Sequence, residues 1–324
     1  MTFTIMISTR DRVRDLQGTC SQLLKLEPPP MEVLICTDGC TDETCDTLAR
    51  NFPQFNMLRN TQARGSVPSR DRMLRSARAD IVVSLDDDSY PLRTDFLQRL
   101  TTVFDDHPEA AVVVFSERRA GMALSHSKSG RSQGRYVAAY ANCGAAMRRK
   151  VYLNLPGFPI FFEHMYEEPD YAAQCYAAGY GVWFEPSLEI FHRQSETNRR
   201  VIQRHHLNAR NELWSVWLRC PRKWLPLVTV YRAARQLVHA CARGPQWVMR
   251  EPAWWRQAFN GIGLCLEQRR AMPWQTYYRW MRLARRPVYS VKDLRAKFPT
   301  TPASAGGLSR RGGWLSEPKP LPRH

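Results

Sequence analysis

Residues 81–91 read Ile-Val-Val-Ser-Leu-Asp-Asp-Asp-Ser-Tyr-Pro, a short apolar run that ends in three consecutive carboxylates. Such a run, closed by a polar turn, predicts a buried strand because it is too short for a helix. Adjacent like charges repel unless a cation offsets them, and Mg²⁺ and Mn²⁺ prefer oxygen ligands. Open α/β sheets also bind ligands at the carboxyl ends of their strands. Residues 86–88 therefore indicate either a metal site or an acidic turn before a helix that starts near Asp95.

Short apolar runs alternate with helical patterns along the first 195 residues. We predict strands at residues 3–9, 31–36, 55–58, 81–85, 110–115 and 182–192. This alternation is typical of an α/β fold, in which a mostly parallel sheet has helices on both faces. The sequence has neither GxGxxG after the first strand nor GxxxxGK[ST], which disfavours dinucleotide cofactors and P-loop chemistry.

Several polar side chains are predicted near the same edge of this sheet. Asp38 follows the second strand, where it could accept from a base N–H or a ribose hydroxyl, or form an Asx-turn. Arg70 opens a helix and could contact a diphosphate, although a solvated arginine is more frequent. Glu167-Glu168-Pro169-Asp170 opens another helix, where acidic residues also favour the helix dipole. His192 ends the last strand, and a lone histidine is usually a packing or surface group.

In combination these motifs resemble a family 2 glycosyltransferase with the Rossmann-like GT-A nucleotide-sugar fold. Asp38-Gly39-Cys40-Thr41-Asp42 is similar to the family's DGSTD turn, and Gly65…Arg70-Asp71 precedes a helix as it does in the family. Leu85-Asp86-Asp87-Asp88 is similar to the DxD motif, and Glu167-Glu168-Pro169-Asp170 is similar to the ED-type motif. The resemblance covers roughly residues 3–195, and its order and spacing make it more specific than any single motif.

The resemblance implies a donor side of the site that binds a nucleotide-diphosphate sugar. In the family, the residue at Asp38 contacts the base, Arg70 lies near the diphosphate and Asp86 faces the nucleoside. The residues that we expect to bind the nucleotide sugar are Thr9, Asp38, Arg70, Asp86 and Asp87.

The resemblance also implies a metal, a base and an acceptor side. Asp88 and His192 correspond to ligands of Mg²⁺ or Mn²⁺, and Glu168 corresponds to the general base that deprotonates the acceptor hydroxyl. Glu167 and Asp170 are expected on the acceptor side. The implied reaction is metal-dependent transfer of one sugar with inversion at the anomeric carbon.

The sequence departs from the family pattern at two positions. Thr37 stands where an additional Asp is common, and Cys40 replaces the usual Ser. The Gln-x-x-Arg-Trp signature of processive synthases is missing, which favours a single addition over polymerisation. Arg210-Asn211-Glu212-Leu213-Trp214 is similar to the Arg-Asn segment of rhamnosyltransferase-like members.

Charge divides the chain into two parts. The net charge is +17, and residues 201–324 contain 23 Lys and Arg against five Asp and Glu. Nine of the ten tryptophans also lie there. We therefore predict a GT-A catalytic domain at 1–200, a basic Trp-rich helical extension at 201–299 and a disordered tail at 300–324.

The extension carries two amphipathic stripes that either pack on the catalytic domain or contact a membrane. The first comprises Leu227, Val230, Tyr231, Ala234, Leu237, Val238 and Cys241, and the second Trp255, Ala258, Phe259, Ile262, Cys265 and Leu266. Tryptophan and positive charge suit helices that lie at anionic headgroups. With no visible signal peptide and irregularly spaced cysteines, we expect a cytoplasmic protein on the inner membrane face. A glycan or lipid-linked acceptor of the cell envelope would be found there.

Three other interpretations stay open at this point. A nucleic-acid-binding protein would also be basic and rich in aromatic residues, but the extension has no recognised binding motif, so we expect no nucleic acid. A nucleotidyltransferase could use the same metal site but normally needs a glycine-rich triphosphate loop, which residues 8–12 do not supply. A catalytically silent member of the family is the third alternative.

Overall fold

The computed structural model describes residues 1–119, 133–194 and 201–298. The predicted tail at 300–324 lies outside these residues. The strands are β1 Phe3–Thr9, β2 Glu32–Asp38, β3 Asn56–Asn60, β4 Ile81–Asp86, β5 Ser89–Pro91, β6 Ala110–Arg119, β7 Arg135–Tyr136, β8 Gly144–Arg148 and β9 Gly181–His192. The helices before residue 195 are α1 Val13–Leu23, α2 Thr44–Asn51, α3 Ser66–Ser76, α4 Phe96–Asp106, α5 Arg149–Asn154 and α6 Glu167–Ala177.

One mixed sheet forms the centre of the molecule, in the order β3-β2-β1-β4-β8-β6-β9-β5 with β7 paired to β9. Strands β1 to β4 are mutually parallel, as are β6 and β9. Helices flank this sheet, so the predicted α/β class is confirmed. All six predicted strands are present. The run at 81–85 is buried, with four of its residues at 1 % exposure or less and Ser84 at 0 %.

The strand β8 was not predicted, although it lies in the middle of the sheet. It runs antiparallel between β4 and β6, with Val83 opposite Ala146 and Val113 opposite the same residue. Its sequence Gly-Ala-Ala-Met-Arg contains no β-branched or aromatic residue, and Gly and Ala are depleted in strands generally. Its small side chains allow close packing in the middle of the sheet, since Ala145 and Ala146 are fully buried.

The carboxyl ends of β1, β2 and β4 meet at one edge of the sheet. Ser8 pairs with Asp86 and Thr9 pairs with Thr37, so the polar turns that follow all three strands are neighbours. This register places the acidic turn after β4 beside the turn after β1 and gives the functional site its position.

The C-terminal extension consists of six helices within the described residues. They are α7 Val201–Arg219, α8 Leu225–Arg243, α9 Pro245–Asn260, α10 Ile262–Glu267, α11 Trp274–Leu283 and α12 Val291–Lys297. Its buried residues belong to the same hydrophobic core as those of the sheet. The Tyr136 N–H donates to the Val288 carbonyl at 2.7 Å, and the rings of Tyr176 and Phe298 lie 4.6 Å apart. The extension therefore packs directly on the sheet domain.

Four of the tryptophans are interior residues rather than surface anchors. Trp214, Trp217, Trp254 and Trp280 are at most 5 % exposed, and each indole N–H has an acceptor. The expectation that the tryptophans as a group face a membrane is therefore wrong for these four. A buried indole needs a partner for its N–H; the extension supplies it for Trp214, Trp217 and Trp254, and the Ala138 carbonyl supplies it for Trp280.

The first amphipathic stripe does not pack on the catalytic domain. Leu227, Val230 and Val238 on α8 are 62 to 68 % exposed. The second stripe is divided, because Ala258 and Cys265 are fully buried and Trp255 packs partly buried against the core, whereas Phe259, Ile262 and Leu266 are 40 to 54 % exposed. No helix among the described residues has both the length and the apolar character required to cross a bilayer.

Candidate active site

Asp87 and Asp88 are both held from the end of β1, by its last residue and by the turn that follows. The Thr9 hydroxyl donates to Asp87 Oδ2 at 2.8 Å. The Arg12 guanidinium contacts Asp87 Oδ1 at 2.5 Å and Asp88 Oδ2 at 2.7 Å. Burial raises the pKa of Asp87 to about 7, although Arg12 and Thr9 oppose the change. Arg12 thus offsets part of the charge that three neighbouring carboxylates create.

Asp86, Asp88 and His192 form a group that suits a divalent cation. Their ligand atoms all lie within 4.8 Å of one another. His192 is placed by the pairing of β5 with β9, where it lies opposite Ser89, and its Nε2 is 3.1 Å from Asp88 Oδ1. Two carboxylates and an imidazole are donors that Mn²⁺ accepts. The residues present therefore fit the metal that the resemblance implies.

Glu117 contacts the other ring nitrogen of His192, at 2.6 Å from Nδ1. A carboxylate in this position fixes the orientation and tautomer of a ligating histidine. Burial alone would lower the pKa of His192, but the contacts to Asp88 and Glu117 raise it. Burial likewise opposes the shift at Asp88, yet hydrogen bonds from His192 and Arg12 hold the pKa of Asp88 well below its usual range.

Arg70 joins the two acidic motifs. It is 7 % exposed, its Nη2 lies 2.5 Å from Asp86 Oδ1, and its Nη1 lies 3.2 Å from Glu167 Oε1. Coulombic attraction to Asp86 and Glu167 raises the pKa of Arg70 against the opposing effect of burial. The turn after β4 and the start of α6 are therefore parts of one site.

Glu167 and Glu168 differ in environment although they are adjacent. Glu167 is 1 % exposed, and its Oε1 accepts from Arg70 and, at 3.0 Å, from Asn142 Nδ2. Glu168 is partly exposed and accepts from the Asn142 backbone N–H at 3.3 Å. Burial and then the charge of Glu167 raise the pKa of Glu168 to about 8. With this pKa, Glu168 is largely protonated at pH 7.

The loop before α6 is backbone-strained. Glu163, Met165 and Tyr166 all have positive φ, at 63°, 74° and 71°. Asn211 on α7 compensates for the strain, because its Nδ2 donates to the carbonyls of Phe162, His164 and Met165 at 3.0, 2.8 and 2.8 Å. Strain of this kind persists only where the surroundings impose it.

Two further contacts fix the same loop. Arg210 Nη2 donates to the Phe162 carbonyl at 3.0 Å. Gly65, with φ at 102°, approaches so closely that a Cβ there would lie 2.3 Å from the Glu163 carbonyl oxygen. The Arg210-Asn211 segment and Gly65 therefore position the acidic start of α6 from two sides.

Asp38 supports the turn between β3 and α3. Its carboxylate accepts from Asn60 Nδ2 at 2.9 Å and from the backbone N–H groups of Arg64 and Gly65 at 2.9 and 2.8 Å. A carboxylate has about four acceptor positions, so one remains for a ligand. The contact with a nucleotide base stays a prediction.

Asp170 lies apart from the other site residues. It is fully buried, and its carboxylate pairs with Arg219 Nη2 at 2.7 Å and accepts from Ser215 Oγ at 2.8 Å. These contacts face α7 and not the site, so an acceptor does not reach Asp170 in this arrangement. Within the acidic motif, Glu167 and Glu168 therefore belong to the candidate site, whereas Asp170 is a structural residue.

Residues 4–168 match the family described as glycosyl transferase family 2. The match covers half of the chain and includes the turn at Asp38, the acidic residues 86–88 and Glu167-Glu168, and it ends before Pro169 and Asp170. The chain belongs to this family. No curated protein sequence matches the glycosyltransferase significantly.

Solved structures show the same fold at low sequence identity. The mannosyltransferase PcManGT from Pyrobaculum calidifontis, in complex with GDP-Man and Mn²⁺, is 17 % identical, with a TM-score of 0.54 over 80 % of this chain and 86 % of that one. S. aureus TarS 1-349 with UDP-GlcNAc is 13 % identical, with a TM-score of 0.58 over 82 % of each chain. GalNAc-T7 with UDP, GalNAc and Mn²⁺ is 12 % identical, with a TM-score of 0.57 over 68 % of this chain and 48 % of that one.

Three polar residues of the glycosyltransferase site were not predicted from the sequence. Arg12, Glu117 and Asn142 all contact predicted site residues. Arg12 carried a usable signal, since it follows β1 at the same edge as the acidic turn. Glu117 and Asn142 carried no comparable signal in the sequence. Glu117 lies on β6 and Asn142 lies in the loop before β8, and each reaches the site only because the fold brings its segment next to residues distant in sequence.

Proposed function

We propose that the protein is a metal-dependent, inverting glycosyltransferase that moves one sugar from a nucleotide-diphosphate sugar to a hydroxyl acceptor, a cell-envelope glycan or glycolipid. The proposal rests on the observation that Arg70 forms ion pairs with Asp86 and Glu167 at the same time. Transfer requires a place for the donor diphosphate and a base for the acceptor at the same centre. Arg70 joins the segments to which these two roles belong.

The donor side comprises Thr9, Asp38, Arg70, Asp86 and Asp87. A divalent cation held by Asp86, Asp88 and His192 would stabilise charge on the departing diphosphate. The complexes of PcManGT with GDP-Man and Mn²⁺ and of GalNAc-T7 with UDP, GalNAc and Mn²⁺ support this assignment by analogy of fold.

Glu168 is the base in this proposal. Its Oε1 is held by the Asn142 N–H, and its raised pKa of about 8 lets it accept the proton of the acceptor hydroxyl. Glu167 is committed to Arg70 and Asn142, so its role is to hold Arg70 and to raise the pKa of its neighbour. Direct attack on the anomeric carbon from the acceptor side would invert its configuration.

Replacement of Glu168 tests the reaction. Glu168→Gln keeps the size of the side chain and should lower kcat about 10²- to 10⁴-fold, the usual contribution of a general base. Glu163→Gln, a change in an exposed side chain of the same loop, is the control and should retain activity. Transfer from a panel of nucleotide sugars with Mn²⁺ or Mg²⁺ is the assay, with circular dichroism to verify folding. Full activity of Glu168→Gln would show that Glu168 is not the general base.

The proposal includes attachment to the inner face of an anionic membrane. On α8, Leu227, Val230 and Val238 present aliphatic side chains to solvent, and Arg235 and Arg243 are exposed on the same helix. Apolar side chains beside cationic ones suit an interfacial helix. Because Trp214 and the three other buried tryptophans cannot contact a membrane, the proposed attachment rests on these exposed aliphatic side chains.

Vesicle sedimentation tests the attachment. The protein should bind vesicles of phosphatidylglycerol and phosphatidylcholine more strongly than vesicles of phosphatidylcholine alone. Val230→Asn with Val238→Asn should weaken binding at least about tenfold, since each change removes exposed apolar area. Leu24→Asn, at an exposed apolar residue after α1, is the matched control. Equal binding of all three proteins, or none by the wild type, would contradict the attachment.

A further inference from the structure

A cavity of about 640 Å³ lies between the start of α6, the middle of α8 and the end of α11. Pro169 and Tyr166 form its wall on the catalytic side, and Ala138 and Ala139 form the adjoining wall. The remaining walls come from the extension, which lies outside the family match at residues 4–168. This is a volume in the range of small-molecule sites.

The cavity shares two walls with the proposed catalytic centre. Pro169 follows Glu168 directly in α6. The segment that contains Ala138 and Ala139 continues to Asn142, whose N–H contacts Glu168 and whose side chain contacts Glu167. The cavity is therefore bordered by the residue that follows Glu168, whereas neither Asp86 nor Asp88 is among its described lining residues.

Positive charge dominates the lining. Among the described residues, four arginines border the cavity, and Glu212 is the one carboxylate in the lining. Glu212 is 1 % exposed and accepts from Arg232 Nη1 at 2.7 Å and from Arg235 Nη2 at 2.6 Å. The other two arginines, Arg282 and Arg285, form no ion pair with a described residue. Within the part of the chain that the structure describes, the lining thus has an excess of three positive charges over carboxylates.

Aromatic rings supply the other part of the lining. Tyr278 lies under the Arg282 guanidinium, with 5.4 Å from Cζ to the ring centroid, and its hydroxyl accepts from Arg282 Nη1 at 2.5 Å. Trp280 is fixed by donation from its Nε1 to the Ala138 carbonyl at 2.8 Å. Flat rings beside guanidinium groups suit a ligand with an apolar sugar face and an anionic substituent.

We propose that this cavity is the acceptor subsite and that it selects a phosphate-bearing glycan, with Arg282 and Arg285 as its phosphate-binding residues. The inference rests on the proposed transferase function and specifies its acceptor class. Arginine binds phosphate in a bidentate, charge-assisted manner that neutral sugars do not offer. The phosphate comes either from the glycan itself or from a lipid diphosphate that carries the growing sugar.

Calorimetric titration in EDTA tests the subsite without requiring transfer, because no divalent cation can then hold phosphate at the acidic motif. Hexose 6-phosphate and geranyl diphosphate are the probes, and methyl hexoside is the uncharged comparison. The wild type should bind at least one phosphate probe about tenfold more tightly than the methyl hexoside. Arg282→Gln with Arg285→Gln should remove that preference, because each lost charge-assisted contact costs roughly tenfold.

Arg286→Gln is the matched control, because this exposed arginine follows Arg285 but does not line the cavity. It should bind the phosphate probes like the wild type. Tighter binding of geranyl diphosphate would identify a lipid diphosphate as the source of the phosphate, and tighter binding of hexose 6-phosphate would identify the glycan as its source. Equal affinity of the wild type for phosphate and neutral probes, or an unchanged preference in the double variant, would overturn the subsite. Absence of nucleotide-sugar turnover with intact phosphate binding would instead refute the transferase function.

Discussion

Asp86 and Glu167 are held by a single guanidinium, that of Arg70, at 2.5 and 3.2 Å. They belong to different motifs, at the end of β4 and at the start of α6. Their common partner is nearly buried, so each carboxylate depends on the same cation for charge compensation. This dependence couples the two acidic segments in stability as well as in position.

Arg70→Gln should lower the free energy of unfolding by about 3–5 kcal/mol, because it leaves buried carboxylate charge without a partner. Glu167→Gln in the same protein should recover part of this loss, since it removes one of the unpaired charges. Urea unfolding of the two single variants and the double variant measures the coupling as a double-mutant cycle. Strictly additive effects would show that Arg70 and Glu167 do not interact.

The rate of transfer should depend on the ionisation of Glu168. With a pKa near 8, this base is mostly protonated at pH 7, so kcat/KM should rise with pH and level off above about 8. Glu167→Gln removes the like charge that contributes to the shift, and the acidic limb should then move to lower pH. A pH–rate profile whose limb stays near the ordinary glutamate pKa would exclude this account.

The same shift has a consequence for stability. Between the unfolded pKa of 4.5 and the folded pKa of about 8, the folded protein holds a proton on Glu168 that the unfolded chain has lost. The contribution of Glu168 to stability is therefore present below pH 4.5 and lost as the pH rises towards 8. Glu168→Gln should flatten this dependence in unfolding experiments. An identical slope in both proteins would contradict the raised pKa.

Metal binding should require Glu117 as well as the proposed ligands. Mn²⁺ at one hundred times its Kd should stabilise the wild type by about 2.7 kcal/mol, visible as a rise in Tm. Asp88→Asn should abolish the rise, and Glu117→Gln should weaken Mn²⁺ affinity about 10- to 100-fold by releasing His192. A Tm rise in Asp88→Asn equal to that of the wild type would place the ion elsewhere.

Asn211 should be essential for the loop before α6. Asn211→Ala removes three hydrogen bonds to carbonyls of a strained segment and should cost about 2–3 kcal/mol of stability together with most of the activity. Asn208→Ala, one turn earlier on α7 and only partly buried, is the matched control and should change stability by less than about 0.5 kcal/mol. Equal effects of the two changes would argue against positioning by Asn211.

Gly65→Ala should act on the same loop from the other side. A Cβ at a φ of 102° and 2.3 Å from the Glu163 carbonyl is strained in both respects, and the loss should be about 1–3 kcal/mol. Gly263→Ala is a control in α10, where a Cβ meets nothing within 4 Å and alanine favours the helix by up to about 1 kcal/mol. Thermal unfolding that shows Gly65→Ala to be as stable as Gly263→Ala would contradict the geometry.

The sequence pattern was sufficient for the buried parallel strands, because runs such as residues 81–85 are apolar on both faces. It was insufficient for β8, whose small residues have no strand preference, and for the burial of Trp214 and Trp254, since a tryptophan suits a core and an interface equally. The site residues that belong to motifs could be predicted from the order of those motifs along the chain. Arg12 and Glu117 belong to no motif, and their contacts arise only when the sheet assembles.

The buried pair of Asp170 and Arg219 has a practical consequence for protein engineering. A fragment that ends at residue 200 would retain each acidic motif yet leave Asp170 without its cation and the carbonyls of the 162–165 loop without Asn211. Chimaeras that exchange acceptor specificity between relatives should therefore be joined beyond α7, so that the donor half keeps the helix that supports its own base.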